Sequence, residues 1–295
     1  MTASSDPSPT LPDGTRLGRA ALVVADRTAT VDFYRDTVGL RVVERADRTT
    51  TLGTEGTALL VVREDSTVAS RDERAAGLYH TAFRVPSRAA LAAALERLRD
   101  GWTLEGASDH GISEALYCTD PAGNGVEIYR DRPRAAWPRA DDGTIRADGA
   151  PLDLDALAAA GDAGPAPTGP QLVPDGTTIG HVHLEVSSLE AARSFYADRL
   201  GFDVTMTGVP GALFFAAGDY HHHVGTNTWN RRSEPAGGRG LAWFELLVPG
   251  EGALEAVRER LLEADVSITD RGDGFEVIDP DGTAVRLRPG TDSSH

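Results

Sequence analysis

Lysine is absent from this chain. All 29 basic side chains are arginine, set against 45 Asp and Glu, which leaves a formal net charge of −16 over 295 residues. So acidic a surface repels phosphate, which argues against a general nucleic-acid partner. An acidic surface without lysine also suits a salt-adapted cytoplasm, where a hydrated acidic shell stays soluble while charge is screened. A single cysteine, Cys118, excludes an internal disulfide framework and a Cys-rich zinc site. It sits in an apolar run, where a buried inert thiol is expected rather than a nucleophile. No apolar run approaches the length of a membrane span. The first residues are polar and rich in Pro, Ser and Thr, without an apolar signal core. A disordered leader over 1–14 and a cytoplasmic location are expected.

What is present is repetition. Val24, Phe33-Tyr34 and Gly39 recur 162 positions later as Val186, Phe195-Tyr196 and Gly201. Each copy reads as a strand, a helix with an inward Phe-Tyr pair, and a Gly where the helix end needs a left-handed residue. A second pattern also recurs. His80–Pro86 precedes a helix over Ser87–Arg99, with Ser87 as N-cap and Leu91, Leu95 and Leu98 on one face. Trp243–Pro249 likewise precedes a helix around Leu254–Glu263, and the two copies end in Asp-Pro turns at Asp120-Pro121 and Asp279-Pro280. Four strand–helix–strands units follow, at roughly 15–70, 78–132, 178–232 and 238–290. They give a first domain over 15–132 and a second over 179–290. Residues 133–178, rich in Pro, Gly, Ala and Asp, read as a linker with one helical turn near Leu152–Leu157 and no chemistry.

The densest turn signal is Asp120-Pro121-Ala122-Gly123-Asn124-Gly125, between the apolar runs Ala115–Cys118 and Val126–Tyr129. Glu127 lies inside the second run. A carboxylate there either points to solvent or is compensated by a cation or hydrogen bonds.

These stretches, together with Asp109-His110-Gly111, Gly180-His181-Val182-His183 and Tyr220–Trp229, resemble the vicinal oxygen chelate superfamily of glyoxalases, bleomycin-resistance proteins and extradiol dioxygenases. The two-domain catechol 2,3-dioxygenase-like branch is the nearest. The resemblance implies an α+β fold of four βαβββ units paired into two incomplete barrels, with a divalent metal inside one. In that family, ligands come from the first and last strands of a unit. The matching positions here are Arg19; His80 and Glu127; His181; and Trp243 and Arg286. Pairing units in sequence order leaves neither barrel a full set. Pairing two with three, and one with four, collects His80, Glu127 and His181 in a single barrel. A swapped dimer could bring the same three together. Two imidazoles and one carboxylate with open positions suit non-haem Fe(II), with Mn(II) as the alternative. His183, two residues on and facing the same way, is the alternative to His181.

The resemblance further implies catalytic roles. His222, within His221-His222-His223, matches the family's proton-shuttling histidine, with His223 as the alternative under a bulged register. In a strand, His222 would face away from its two neighbours. Tyr117 matches a tyrosine that touches substrate, and His110 could close the cavity. Asn227 and Trp229 match without a physical role beyond packing. The implied activity is extradiol cleavage of a small aromatic diol by O2, as part of aromatic degradation, with no nucleic-acid or membrane partner. A homo-oligomer is compatible with it. The rivals are a glyoxalase-like isomerase or lyase, a ligand-binding resistance protein without catalysis, and cleavage of hydroquinones.

Overall fold

The computed structural model describes residues 10–147, 149–161, 172–206 and 208–290. Most of the expected leader, residues 1–9, lies outside them. Among the described residues, unit one supplies β1 (Arg16–Val24), β2 (Arg41–Arg45), β3 (Thr49–Gly53) and β4 (Ala58–Glu64). Unit two supplies β5 (Gly77–Arg84), β6 (Gly106–Asp109), β7 (Ser113–Thr119) and β8 (Gly125–Asp131). A short β9 (Ala150–Pro151) precedes unit three, which holds β10 (Thr178–Glu185), β11 (Asp203–Met206), β12 (Ala212–Ala216) and β13 (Val224–Asn227). Unit four holds β14 (Gly240–Pro249), β15 (Thr269–Arg271), β16 (Gly274–Ile278) and β17 (Ala284–Gly290). Helices follow the first strand of each unit, with α1 at Arg27–Phe33 and α2 at Arg88–Gly101. One turn, α3 (Leu154–Ala158), falls between the halves; α4 (Leu189–Arg193) and α5 (Glu251–Glu263) belong to units three and four. No helix among the described residues is long and apolar enough to cross a membrane.

The strands form two curled sheets, ordered β15-β16-β17-β14-β1-β4-β3-β2 and β11-β12-β13-β10-β5-β8-β7-β6-β9. Units one and four therefore share one sheet, and units two and three the other. Each sheet is centred on an antiparallel pair of first strands, β1 with β14 and β5 with β10. Each first strand also pairs in parallel with the last strand of its own unit, as β5 does with β8 and β10 with β13. The four central strands of a sheet are thus those that carry the ligand positions of two units.

The Phe-Tyr repeats connect the two sheets. Phe33 and Tyr34, and again Phe195 and Tyr196, are buried edge-to-face pairs with centroids 5.1 and 5.0 Å apart. Gly39 closes the first helical segment at φ 93°. Tyr34 donates its hydroxyl to Asp120 at 3.2 Å, and Tyr196 donates to Asp279 at 2.9 Å. A helix of one sheet is so bonded to the Asp-Pro turn of the other, twice. Asp279 also accepts the N–H groups of Asp281 and Thr283, at 3.0 and 2.7 Å.

Burial pushes the Asp279 carboxyl up to about 6. A raised folded pKa means that the native state holds a proton which the unfolded chain has already released. This contribution is full below about pH 4, is lost as pH rises to 6, and amounts to roughly 3 kcal/mol by linkage. Asp279→Asn is expected to flatten the fall in stability between pH 4 and 7, read from urea midpoints. An unchanged pH slope in the variant would refute the assignment.

Candidate metal centre

The register of the second sheet assembles the site. His80 on β5 lies opposite His183 on β10, while Ala82 lies opposite His181 and beside Glu127 on β8. One extra residue in β10, Gly180, shifts the ladder between Ile179 and His181. It must be glycine, since a Cβ there would sit 1.8 Å from the Tyr129 hydroxyl. The shift carries His181 towards His80 and Glu127. His80 Nε2 is 2.9 Å from Glu127 Oε2, and His181 Nε2 is 3.1 Å from the same oxygen. The two Nε2 atoms are 3.2 Å apart. All three residues are buried.

This set fits a metal ion. Two donors about 2.1 Å from one ion and at right angles to it lie about 3.0 Å apart, which is the spacing of all three pairs. Two neutral imidazoles and a carboxylate suit a divalent first-row metal better than Mg²⁺ or Ca²⁺, which prefer oxygen ligands. Burial alone would raise the Glu127 carboxyl, but His181 and His80 hold it well below the ordinary carboxylate range. Burial also takes the His181 imidazole down to about 4, against the pull of Glu127. His181 Nδ1 is buried and has no hydrogen-bond partner among the described residues.

His183 is not part of the triad. Its Nε2 accepts from the Asn227 side-chain amide at 3.1 Å, which gives Asn227 the role that was missing at the sequence level. Asn227 in turn accepts the Trp229 backbone N–H.

The triad opens into a cavity of about 670 Å³ also lined by His110, Tyr117, His183, Phe214 and His222. Tyr117 lies directly across the ladder from Glu127, and its hydroxyl is 2.9 Å from His110 Nε2. Burial, then the nearby Glu127, pushes that phenol well above its ordinary value. Cys118 is buried, and burial first, then Glu105, pushes its thiol up to about 12.

The histidine run departs from expectation in its backbone. His221–His223 lie in the connection before β13 rather than inside a strand. Their directions still diverge. The His222 ring lies 4.1 Å from that of His181, on the metal cavity, whereas His223 faces a different cavity. His221 joins neither; its Nδ1 is 2.7 Å from His222 Nδ1 and its Nε2 is 2.9 Å from Asp131 Oδ1. Asp131, at the end of β8, also takes bonds from Arg84 and Tyr220. Sequence reasoning assigned no role to Asp131 or His221. Asp131 is four residues beyond Glu127, so strand alternation puts both on one face, and that was the available signal.

The segment between units two and three also contributes. Trp137 is buried, with its ring 5.3 Å from that of His221. Ala147 and Gly149 line the metal cavity, and β9 adds a strand to that sheet beside β6. Its Pro-, Gly- and Ala-rich composition concealed this, since a few apolar side chains suffice to cover an edge.

The corresponding positions of the first sheet hold no donors for a cation. Arg19 forms a two-pronged pair with Glu245, at 2.9 and 2.6 Å, and the Arg286 guanidinium lies 4.0 Å from the centre of the Trp243 ring. Among the described residues, the cluster able to hold a metal is His80, Glu127 and His181.

The sequence model of the Glyoxalase/Bleomycin resistance protein/Dioxygenase superfamily matches residues 16–128 and 178–287. The chain belongs to this superfamily. A catechol-2,3-dioxygenase of Bacillus subtilis (strain 168) is 37% identical over 276 residues, covering 91% of this chain and 95% of that protein. Among solved structures, a putative dioxygenase from Bacillus subtilis subsp. subtilis str. 168 aligns with a TM-score of 0.62 at 13% identity, over 96% of this chain and 87% of that one. Glyoxalase I from Zea mays aligns at 0.58 and 16%, over 93% and 92%. At such identities these structures speak for the fold. Within the superfamily fold, all three matched donors of this chain fall in one half-barrel.

Proposed function

We propose that this protein is a metal-dependent extradiol dioxygenase that opens a catechol-type ring with O2, using iron(II), or alternatively manganese(II), at His80, Glu127 and His181. The observation that carries the reading is an open side to the triad. In unit two, the ligand Glu127 stands beside Ala82, two residues after His80. The matching place in unit three, beside His183, is Gly225. An isomerase or lyase of this fold would use a fourth protein ligand there. Gly225 offers no donor, and the His183 ring packs over it, so no fourth protein ligand closes the triad and positions stay open for two substrate oxygens and O2. The 37% identical catechol-2,3-dioxygenase supports the same reading.

A divalent metal held by His80, His181 and Glu127 would keep surplus positive charge, which would favour a substrate with two vicinal oxygens and supply the activation of O2. The chain supplies orientation and proton handling. The Asp131 carboxylate can only accept, so His221 carries its proton on Nε2. His221 Nδ1 is then an acceptor for His222 Nδ1–H. That leaves the His222 Nε2 lone pair for the cavity, where it takes a proton from a substrate hydroxyl and returns it later. Tyr117, held by His110, donates its hydroxyl to a substrate oxygen, and its raised pKa keeps the proton in place. The apolar wall at Phe214 limits water around the ring.

The test is metal analysis of anaerobically purified protein, followed by oxygen uptake with catechol after Fe(II) addition. Bound metal, stoichiometric oxygen consumption and a yellow ring-opened product are expected. Bound metal without uptake across catechols and hydroquinones would move the protein to the isomerase or lyase class.

A further inference from the structure

We propose that a second cavity, about 280 Å³ in size and set against the start of β10, is a binding site for a small oxyanion of the phosphate or carboxylate class. Neither the ring-opening reaction nor the metal triad uses it. Its walls present Arg16, Arg84, Arg134 and the imidazole of His223. In a chain of net charge −16, three guanidiniums around one hollow need an explanation, and their partners do not supply it. Arg16 is half-buried, yet its side chain makes no hydrogen bond or ion pair with any described residue. Arg134 rests on the face of Trp137, with 5.8 Å to the ring centre, and has no carboxylate partner among the described residues. Arg84 alone is matched, by Asp131 at 3.3 Å.

His223 is the second observation. It is 6% exposed, and its Nδ1 accepts the Ala217 backbone N–H at 3.2 Å. The proton therefore resides on Nε2, a donor that no described residue satisfies. Burial takes this imidazole down to about 3, so the donor is a neutral N–H. The His223 N–H and the half-buried Arg16 guanidinium both reach the cavity without an acceptor among the described residues, so one bound oxyanion would take hydrogen bonds from both. The carboxylates on the cavity, Asp13 and Asp219, are exposed. They number two against three guanidiniums, and Asp131 stands behind Arg84. Planar guanidinium forks match phosphate and carboxylate oxygens in geometry as well as charge.

The experiment is calorimetric titration of the full chain with inorganic phosphate and, separately, with acetate, at constant ionic strength against a chloride reference. Saturable one-to-one binding of either anion is expected, and which one binds assigns the class. Arg16→Gln combined with Arg134→Gln should weaken that binding at least tenfold while metal content and circular dichroism stay unchanged. Arg134→Gln alone alters only an exposed side chain, and should weaken binding measurably even if the double variant folds poorly. The proposal is overturned if neither anion saturates, if chloride gives the same heat, or if both variants bind as the parent does.

Discussion

Glu127→Ala protein is expected to lose its metal affinity by more than the roughly 10- to 100-fold that loss of an outer-shell partner causes, and ring cleavage with it. Glu127 Oε2 stands within 3.1 Å of His80 Nε2 and His181 Nε2, and Glu127 is the one anionic group of the triad. Without it, a divalent ion would meet two neutral imidazoles inside a buried pocket, where uncompensated charge is costly. Glu127→Gln separates charge from shape, because it keeps an oxygen at the same reach. Affinity should fall in Gln as well as Ala if charge carries the site. Metal content by elemental analysis and oxygen uptake with catechol check both variants. Full metal content in the double variant His80→Ala/Glu127→Ala would end the assignment of this triad as the metal centre.

The triad was legible because the ligand positions that the resemblance implies, laid on the repeated units, meet in one pairing of units. Residues at matched positions of repeated units must share strand rows, and only one pairing of units placed His80, Glu127 and His181 together. The β8-β5-β10-β13 centre of the second sheet is that pairing. The Tyr34–Asp120 and Tyr196–Asp279 bonds were not legible, although all four residues belong to recognised motifs. Such bonds depend on how two sheets sit against each other, which no strand period encodes. His181 was separated from His183 by register, but the reason lies in Gly180, whose extra residue turns His181 inward while Asn227 occupies His183. The His221–Asp131 contact spans 90 positions and joins a loop to a strand end. Strand alternation sets His222 apart from its two neighbours in the sequence; in the structure each of the three histidines meets a different environment. Trp137 was hidden in a stretch whose composition reads as linker.

Asp131→Asn is expected to lower kcat by about 10²- to 10⁴-fold, the usual contribution of general acid–base catalysis, with little change in KM and none in metal content. The variant keeps the shape of the side chain and an oxygen for Arg84 and Tyr220. What changes is the hydrogen bond to His221. An amide N–H facing His221 Nε2 turns that nitrogen into an acceptor and moves the His221 proton to Nδ1. His221 then donates to His222 Nδ1, which forces the His222 proton onto Nε2. The lone pair that faces the cavity is gone, and the proton acceptor for the substrate hydroxyl goes with it. Asp131 touches no substrate in this scheme; it is a positioning residue acting through two imidazoles at 2.9 and 2.7 Å. A merely structural Asp131 would show itself differently, through loss of metal or of thermal stability, with kcat falling only as far as the folded fraction falls. His221→Phe, which cuts the chain between Asp131 and His222, should lower kcat in the same way, and adding Asp131→Asn to it should cost nothing further. Additive losses in that double variant, or a wild-type kcat in Asp131→Asn, would show that His222 keeps its proton without help from behind.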